Sequence, residues 1–486
     1  MTQKKILMRA GTTVLENLYA TKTIFDDAIG GNVGNLVYAN SVLRTLMTDD
    51  KMEIEADHYY AEFGKYTDSD AERINSEYSA FVIPFADAFR SDFIGSMKRM
   101  TAFIRKLTIP VIIIGVGVAS GKKDFMEPLP QDDSVKALIK EVLSRSAVVG
   151  VRGESTYRYL TEKLGFPKDL VTVIGCPSMY TFGPDLSLKK EPDLNPSSKI
   201  IITDTKYSSP GEYIGDDIQK FLIGVSEEYP DFTFIPQLLR ELKEIYIGAP
   251  YSRDDSILYP GNLDSPLFKD GRGKFFLNVP TWLDFASKAD FAVGPRIHGS
   301  IAPVLAGTPA LAIVKDVRMQ ELVSYHHLAH VDISEVHADS RLSDLIRGKD
   351  FHEFEKYQEE NFRHYLDFLH QNGLKTIYDG DIHIKEAPLD RRVSRMKLYG
   401  AVTPFYHASH SERLRREGEY FSREEKQIKE LKDRINAKNR KISELNDRIN
   451  AKNRRISELN TSLDEFKKGK TYGIIRRIGR KLTGSK

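Results

Sequence analysis

The sequence predicts an α/β fold of two Rossmann-like lobes followed by an α-helical coiled coil. Three observations carry that expectation. Short β-branched runs alternate with amphipathic stretches from the start to about residue 345, as strand, crossover helix and strand do in parallel sheets. The pattern breaks once, in a polar stretch at 189–198 that holds Pro192 and Pro196, and then restarts. From Ile428 to Phe466, within the segment 415–466, a seam recurs at alternating spacings of three and four, the signature of a heptad repeat.

The expected organisation is a first lobe at 1–188, a second at 189–345, a helix and connecting segment at 346–414, a coiled coil at 415–466 and a basic amphipathic tail at 467–486. A chain of 486 residues with 41% hydrophobic and 10% aromatic content can bury more than one core. Its net charge of only +2 excludes a nucleic-acid role for the molecule as a whole, because the basic residues are mixed with nearly as many acidic ones. The single cysteine, Cys176, excludes an intrachain disulfide, and residues 1–8 hold too short an apolar stretch for a signal peptide. Both point to a reducing, cytoplasmic setting. The longest nearly apolar run, 109–119, falls well short of the roughly 20 residues a membrane helix needs and reads as a buried strand.

In the first lobe the runs 111–117, 147–151 and 171–175 read as strands, and 36–47, 133–144 and 157–164 as helices. The second lobe is expected to open with a strand at 199–204, a helix near 216–228 and a strand at 232–235, then to pass through a loop-rich stretch at 249–273. Its richest segment runs from a helix at 281–288 through a strand at 290–293 and the turn Gly294-Pro295 into a helix at 298–306. There Gly307-Thr308-Pro309 stops the helix before a strand at 310–314. The charged segment 350–369 has the spacing of a surface helix packing back on the first lobe.

The seam at the C-terminal end comprises Ile428, Leu431, Ile435, Lys438, Ile442, Leu445, Ile449, Lys452, Ile456, Leu459, Leu463 and Phe466, and a tandem repeat with a period of two heptads preserves it. Ile alternating with Leu favours a parallel pair, so a homodimer is expected. The alternative is a lone solvated helix. The last segment holds Lys467, Lys468, Lys470, Arg476, Arg477, Arg480, Lys481 and Lys486 and no acidic residue, interleaved with Ile474, Ile475, Ile478 and Leu482. It suits an anionic membrane surface on the inner face of the cell membrane, or it is a solvated terminus.

Chemistry is expected at Gly294-Pro295-Arg296-Ile297-His298-Gly299-Ser300, where a strand ends in a tight turn at a helix start whose free N–H groups attract anions. Arg296 offers a planar fork for a carboxylate or phosphate, and His298 can exchange a proton near neutral pH. The structural alternative is that Arg296 pairs with Asp316 and His298 caps the helix. A second glycine-rich turn, Gly30-Gly31-Asn32-Val33-Gly34-Asn35, also precedes a helix, without the spacing of a dinucleotide fingerprint or a Walker lysine, and can face the first across a cleft. Turns after first-lobe strands include Pro84 to Arg90, with Asp87, the segment 115–120, and Val151-Arg152-Gly153-Glu154-Ser155-Thr156; Arg152 can reach the crevice or form a salt bridge with Glu154 or Asp316. No activating base accompanies Cys176, and His326, His327 and His330 lack the remaining ligands of a zinc site, so neither a cysteine nucleophile nor a metal site is expected.

Taken together, these turns, with Gly175-Cys176-Pro177-Ser178, Ala306-Gly307-Thr308-Pro309 and 316–322, resemble the polysaccharide pyruvyltransferase family over roughly residues 5–335. The resemblance implies a fold similar to the two-lobed GT-B glycosyltransferases. It implies phosphoenolpyruvate as donor, a hydroxyl pair on a glycan as acceptor, a pyruvate ketal as product with phosphate released, and no cofactor. It places Arg296 and Arg152 on the donor's anionic groups and His298 as the acid that protonates its methylene carbon. Asn32, Gly34, Asn35, Gly299 and Ser300 would bind substrate, with Asp87 as a base for the acceptor hydroxyl. The same architecture can instead host a nucleotide-sugar glycosyltransferase or a non-catalytic scaffold that its coiled coil brings to a membrane.

Overall fold

The computed structural model describes residues 5–119, 126–207, 212–249, 256–260 and 262–483. Ser120 of the turn at 115–120, residues 250–255 and 261 of the loop-rich stretch and residues 484–486 of the tail lie outside them. Residues 1–417 form one compact unit and 418–486 a second.

The first lobe is a parallel sheet of β1 (Lys5–Met8), β2 (Ile54–Ala56), β3 (Tyr78–Pro84) and β4 (Val111–Ile114), in the order β2-β1-β3-β4. A parallel bridge between Val116 and Val151 joins it to the ribbon of β5 (Val149–Val151) and β6 (Val171–Val173), extending the order to β2-β1-β3-β4-β5-β6. All four residues of β4 are buried, as expected of a strand covered by helices on both faces. The second lobe repeats the plan with β7 (Ile200–Ile202), β8 (Phe232–Phe234), β9 (Phe291–Gly294), β10 (Ala310–Val314) and β11 (His330–Asp332), in the order β8-β7-β9-β10-β11, all parallel.

Each lobe therefore reverses its winding between its first and third strands, β1 and β3 in one, β7 and β9 in the other. Ligands of open parallel sheets bind where the winding reverses, at the carboxyl ends of the strands. The two reversal points contribute to one cleft.

Several contacts clamp the lobes together. The glycine-rich turn is sewn to the second lobe by Val33 N–H donating to the Gln237 carbonyl (2.8 Å) and Leu239 N–H donating to the Gly31 carbonyl (3.0 Å). The helix Glu353–Gln371 packs on the first lobe as expected, burying Phe362, Tyr365 and Phe368. Asn372 beyond it accepts from Ala147 and Val148 N–H. The chain then crosses back: Arg44 grips Asp390 with two nitrogens, and Val402 pairs with Phe275 of the second lobe.

The expected helix at 157–164 is replaced by a short α-helical turn, Glu154–Arg158, running into a π-helical turn, Tyr159–Lys163. A helix at Leu239–Ile247, not anticipated from sequence, packs against the helix Ala20–Asp26. In the second unit the long helix that begins at His410 runs to Lys468, followed by the helix Lys470–Thr483. The apolar seam residues from Ile428 to Phe466 are exposed along it. No described helix is long and apolar enough to cross a membrane.

Candidate active site

The cleft has a volume of about 620 Å³ and is lined, among the described residues, by seven basic side chains (Arg9, Arg90, Arg152, Arg240, Arg296, Lys315, Arg318) against three carboxylates (Asp27, Glu62, Asp87). A cationic cleft with low-dielectric walls selects an anionic ligand.

Arg152 follows β5, where its N–H donates to Val116 O (2.9 Å). It is 2% exposed, and neither Nε nor Nη2 has a hydrogen-bond partner among the described residues. The expected alternatives, pairing with Glu154 or Asp316, are not what the structure shows. Its stem passes so close to Gly117 that a Cβ there would lie 2.6 Å from Arg152 Cδ. A buried guanidinium with unmade hydrogen bonds is costly, so its persistence points to a ligand.

Arg296 is the N-cap of the helix Ile297–Leu305. It is held from the second lobe, Nε donating to the Asp204 carbonyl (2.9 Å) and Nη2 lying 3.7 Å from Glu241 Oε1. It does not pair with Asp316, whose carboxylate instead accepts from Arg318 (3.1 Å) and caps the helix Val317–Tyr325 through Met319 N–H. The turn that aims Arg296 needs a glycine, because Gly294 has φ +150° and a Cβ there would fall 2.0 Å from Thr203 O.

His298 sits in the first turn of that helix, its Nε2 3.4 Å from Ser178 Oγ and 3.9 Å from Cys176 Sγ. Burial first, then the nearby Arg152 and Arg318, push its pKa down to about 3, although Asp87 opposes them. The imidazole is therefore neutral at pH 7, its titration lying well below the near-neutral value expected from sequence. Its ring lies against Gly34, where a Cβ would be 2.7 Å from Nδ1. The glycine-rich turn thus faces the Arg-x-His segment, as the sequence suggested.

Asp87 also lines the cleft but is clamped by Arg318 and by Arg90 at 3.2 Å. Burial works against its charge, yet Arg318, Arg90 and Arg152 together hold its carboxyl far below the usual range. A carboxylate so held is a poor proton acceptor, which argues against the expected base. Asn32 and Asn35 line the cleft, while Gly34 lies behind His298. Gly299 packs on Thr203 and Gln237, and Ser300 is buried with its N–H given to Arg296 O (3.2 Å); neither lines the cleft. The three clustered histidines take separate tasks. His326 accepts from Cys176 N–H (2.7 Å), His327 stacks on Tyr357 and His330 contacts Leu328 O.

Sequence reasoning missed Lys315, Arg318 and Arg9. Lys315 follows β10 at a strand-to-helix junction, the same position that singled out Arg296, so a signal was present. Burial lowers its pKa to about 7 against Asp316, with Arg318 and Arg296 adding to the shift. Its ammonium donates to Pro295 O at 2.7 Å. Arg9 follows β1 and lies between the rings of Tyr59 and Phe85, paired with Glu62.

The family model for polysaccharide pyruvyl transferases matches residues 42–316, more than half of the chain. The chain belongs to that family. The match spans Asp87, Arg152, Arg296, His298 and Lys315 and stops just short of Arg318. No curated protein matches the chain in sequence. Among solved structures, the chain is similar to a putative UDP-N-acetylglucosamine 2-epimerase from Listeria monocytogenes at 13% identity and a TM-score of 0.38, over 82% of this chain and 93% of that one. It is also similar to the UDP-GlcNAc 2-epimerase from Neisseria meningitidis bound to UDP-GlcNAc, at 14% identity and a TM-score of 0.40, over 76% of this chain and 100% of that one.

Proposed function

We propose that the chain transfers a pyruvyl group from phosphoenolpyruvate to a hydroxyl pair on a sugar of a cell-surface or exopolysaccharide precursor, forming a ketal and releasing phosphate. The observation that carries this reading is Arg152, buried with two unpartnered nitrogens in a cleft whose wall adds Arg296, Lys315 and Arg318. A small ligand bearing both a carboxylate and a phosphate satisfies those donors.

In this reading Arg152 and Arg296 hold the donor, with Lys315 and Arg318 beside them. The negative charges of the bound donor raise the pKa of His298 from its depressed value, so the imidazole takes up a proton and delivers it to the methylene carbon. The cationic centre this creates on the neighbouring carbon, which bears the phosphate oxygen, is attacked by the sugar oxygen. Neither a metal nor an organic cofactor has a part in this scheme.

The exposed seam on the long helix is read as a parallel homodimer contact and the helix Lys470–Thr483 as an anchor on an anionic membrane surface. Isoleucines at 474, 475 and 478 and the basic residues Arg476, Arg477 and Arg480 supply the two faces such a helix needs. Pairing doubles the anchors and strengthens attachment near lipid-linked glycan precursors.

Phosphate release from phosphoenolpyruvate in the presence of hexopyranosides that carry a free hydroxyl pair tests the reaction. Release by the wild-type chain and its loss in Arg152→Met supports it. Stabilisation by a nucleotide sugar with no release of phosphate from phosphoenolpyruvate favours the glycosyltransferase alternative.

A further inference from the structure

Attack by a sugar hydroxyl releases a proton, and the group that takes it must begin as an available anion on the wall facing the acceptor. Among the described residues three carboxylates line the cleft, and two are already committed to cations. Buried Glu62 is paired with Arg9, and Asp87 is clamped by Arg318 and Arg90. The third, Asp27, has no ion pair among the described residues.

Asp27 stands at the end of the helix Ala20–Asp26 with a left-handed backbone, φ 48°. Its carbonyl accepts from Gly30 N–H (3.0 Å) and its Oδ1 from Gly31 N–H (2.7 Å). The carboxylate is thereby fixed into the glycine-rich turn. At Gly31, φ +78°, a Cβ would meet nothing within 4 Å, so there is open space beside the carboxylate. Three carboxyls that burial raises to about 7 among the described residues, Asp57, Asp204 and Glu321, do not line the cleft.

Resting on the reading of the cleft as a pyruvyl-transfer site, we infer that Asp27 is a catalytic residue of that reaction, the base that accepts the proton of the attacking sugar hydroxyl. Burial raises its pKa above the ordinary carboxylate value, with Glu62 adding to the shift and the Gly31 hydrogen bond opposing it, which suits a proton acceptor better than Asp87.

The proton and bond inventory closes. The donor's methylene carbon gains one proton, and the first sugar oxygen bonds to the neighbouring carbon and gives its proton to Asp27. The bond from that carbon to the phosphate oxygen breaks, the second sugar oxygen takes its place, and the second hydroxyl proton leaves with phosphate. The proton on Asp27 returns through solvent to the acid.

The test is Asp27→Asn in the full chain. The carboxamide oxygen still accepts from Gly31 N–H, and asparagine tolerates the left-handed backbone, so the fold is kept and an unchanged melting temperature verifies it. Calorimetric affinity for phosphoenolpyruvate is expected within threefold of wild type, while kcat for phosphate release with the hexopyranosides falls by about 100-fold or more. In Asp27→Gly, added formate is expected to restore at least a tenth of the wild-type rate. An Asp27→Asn enzyme with wild-type kcat overturns the assignment, and so does one that loses donor binding together with turnover, because Asp27 then serves the donor pocket. A wild-type chain that neither binds phosphoenolpyruvate nor releases phosphate refutes the reading of the cleft, and the base falls with it.

Discussion

Replacing Arg152 by methionine separates a residue kept for a ligand from one kept for the fold. Methionine preserves most of the stem that packs over Gly117 and removes a guanidinium whose Nε and Nη2 have no hydrogen-bond partner among the described residues. Each charge-assisted hydrogen bond to a donor anion contributes about 1.5–3 kcal/mol, so losing two costs about 3–6 kcal/mol. At about 1.4 kcal/mol per decade, affinity for phosphoenolpyruvate drops by roughly 100-fold to 10,000-fold, read by titration calorimetry on the full chain. The fold is expected to be unharmed, because an unmade buried hydrogen bond is a cost of about 1–3 kcal/mol that the variant no longer bears. Arg152→Lys is expected to recover little, since an ammonium cannot reproduce the planar fork. The reasoning is refuted if Arg152→Met binds phosphoenolpyruvate within threefold of wild type, or if it melts far lower and loses binding only by unfolding.

Further outcomes follow from the same geometry. Gly34→Ala places a methyl 2.7 Å from His298 Nδ1, so phosphate release is expected to fall about 10-fold or more with the melting temperature little changed, although Gly34 is not among the residues that line the cleft. His298 is neutral when folded and protonates near its ordinary 6.5 when unfolded, so its contribution to stability is full above that pH and is lost as pH falls toward about 3. Urea midpoints of His298→Asn and wild type, compared between pH 6 and pH 4, are expected to show a slope shallower in the variant by about 1.4 kcal/mol per pH unit; equal slopes contradict the assigned shift. A chain truncated before Phe421 is expected to sediment as a monomer and the full chain as a dimer. Liposomes containing anionic lipid are expected to float the full chain and not one lacking residues 467–486.

The lobes were legible in sequence because their strands are short β-branched runs buried on both faces, β4 and β10 above all. The strand order was not, since nothing along the chain says that β1 lies between β2 and β3. The π-helical turn at Tyr159–Lys163 has the apolar spacing of an ordinary helix and no distinguishing residue. At the site, Arg152, Arg296 and His298 were readable from their places just after strands. Asp27, which also lines the cleft, was not, because its backbone geometry and surroundings depend on contacts made only in the folded chain. For Asp87 the place after a strand was readable but its clamp was not, because Arg318, which pairs with it, comes from the opposite lobe. Gly299 and Ser300 belong to the motif as packing against Thr203 and as helix backbone, a distinction a motif alone cannot make.

The most direct measurement incubates the full chain with phosphoenolpyruvate and a panel of glycans bearing free hydroxyl pairs, following phosphate release and scanning the glycans by mass spectrometry. Transfer through the Arg152, Arg296 and His298 cleft gives one pyruvate ketal per phosphate, abolished by His298→Ala. A wild-type chain that makes no ketal with any glycan of the panel while consuming a nucleotide sugar contradicts it.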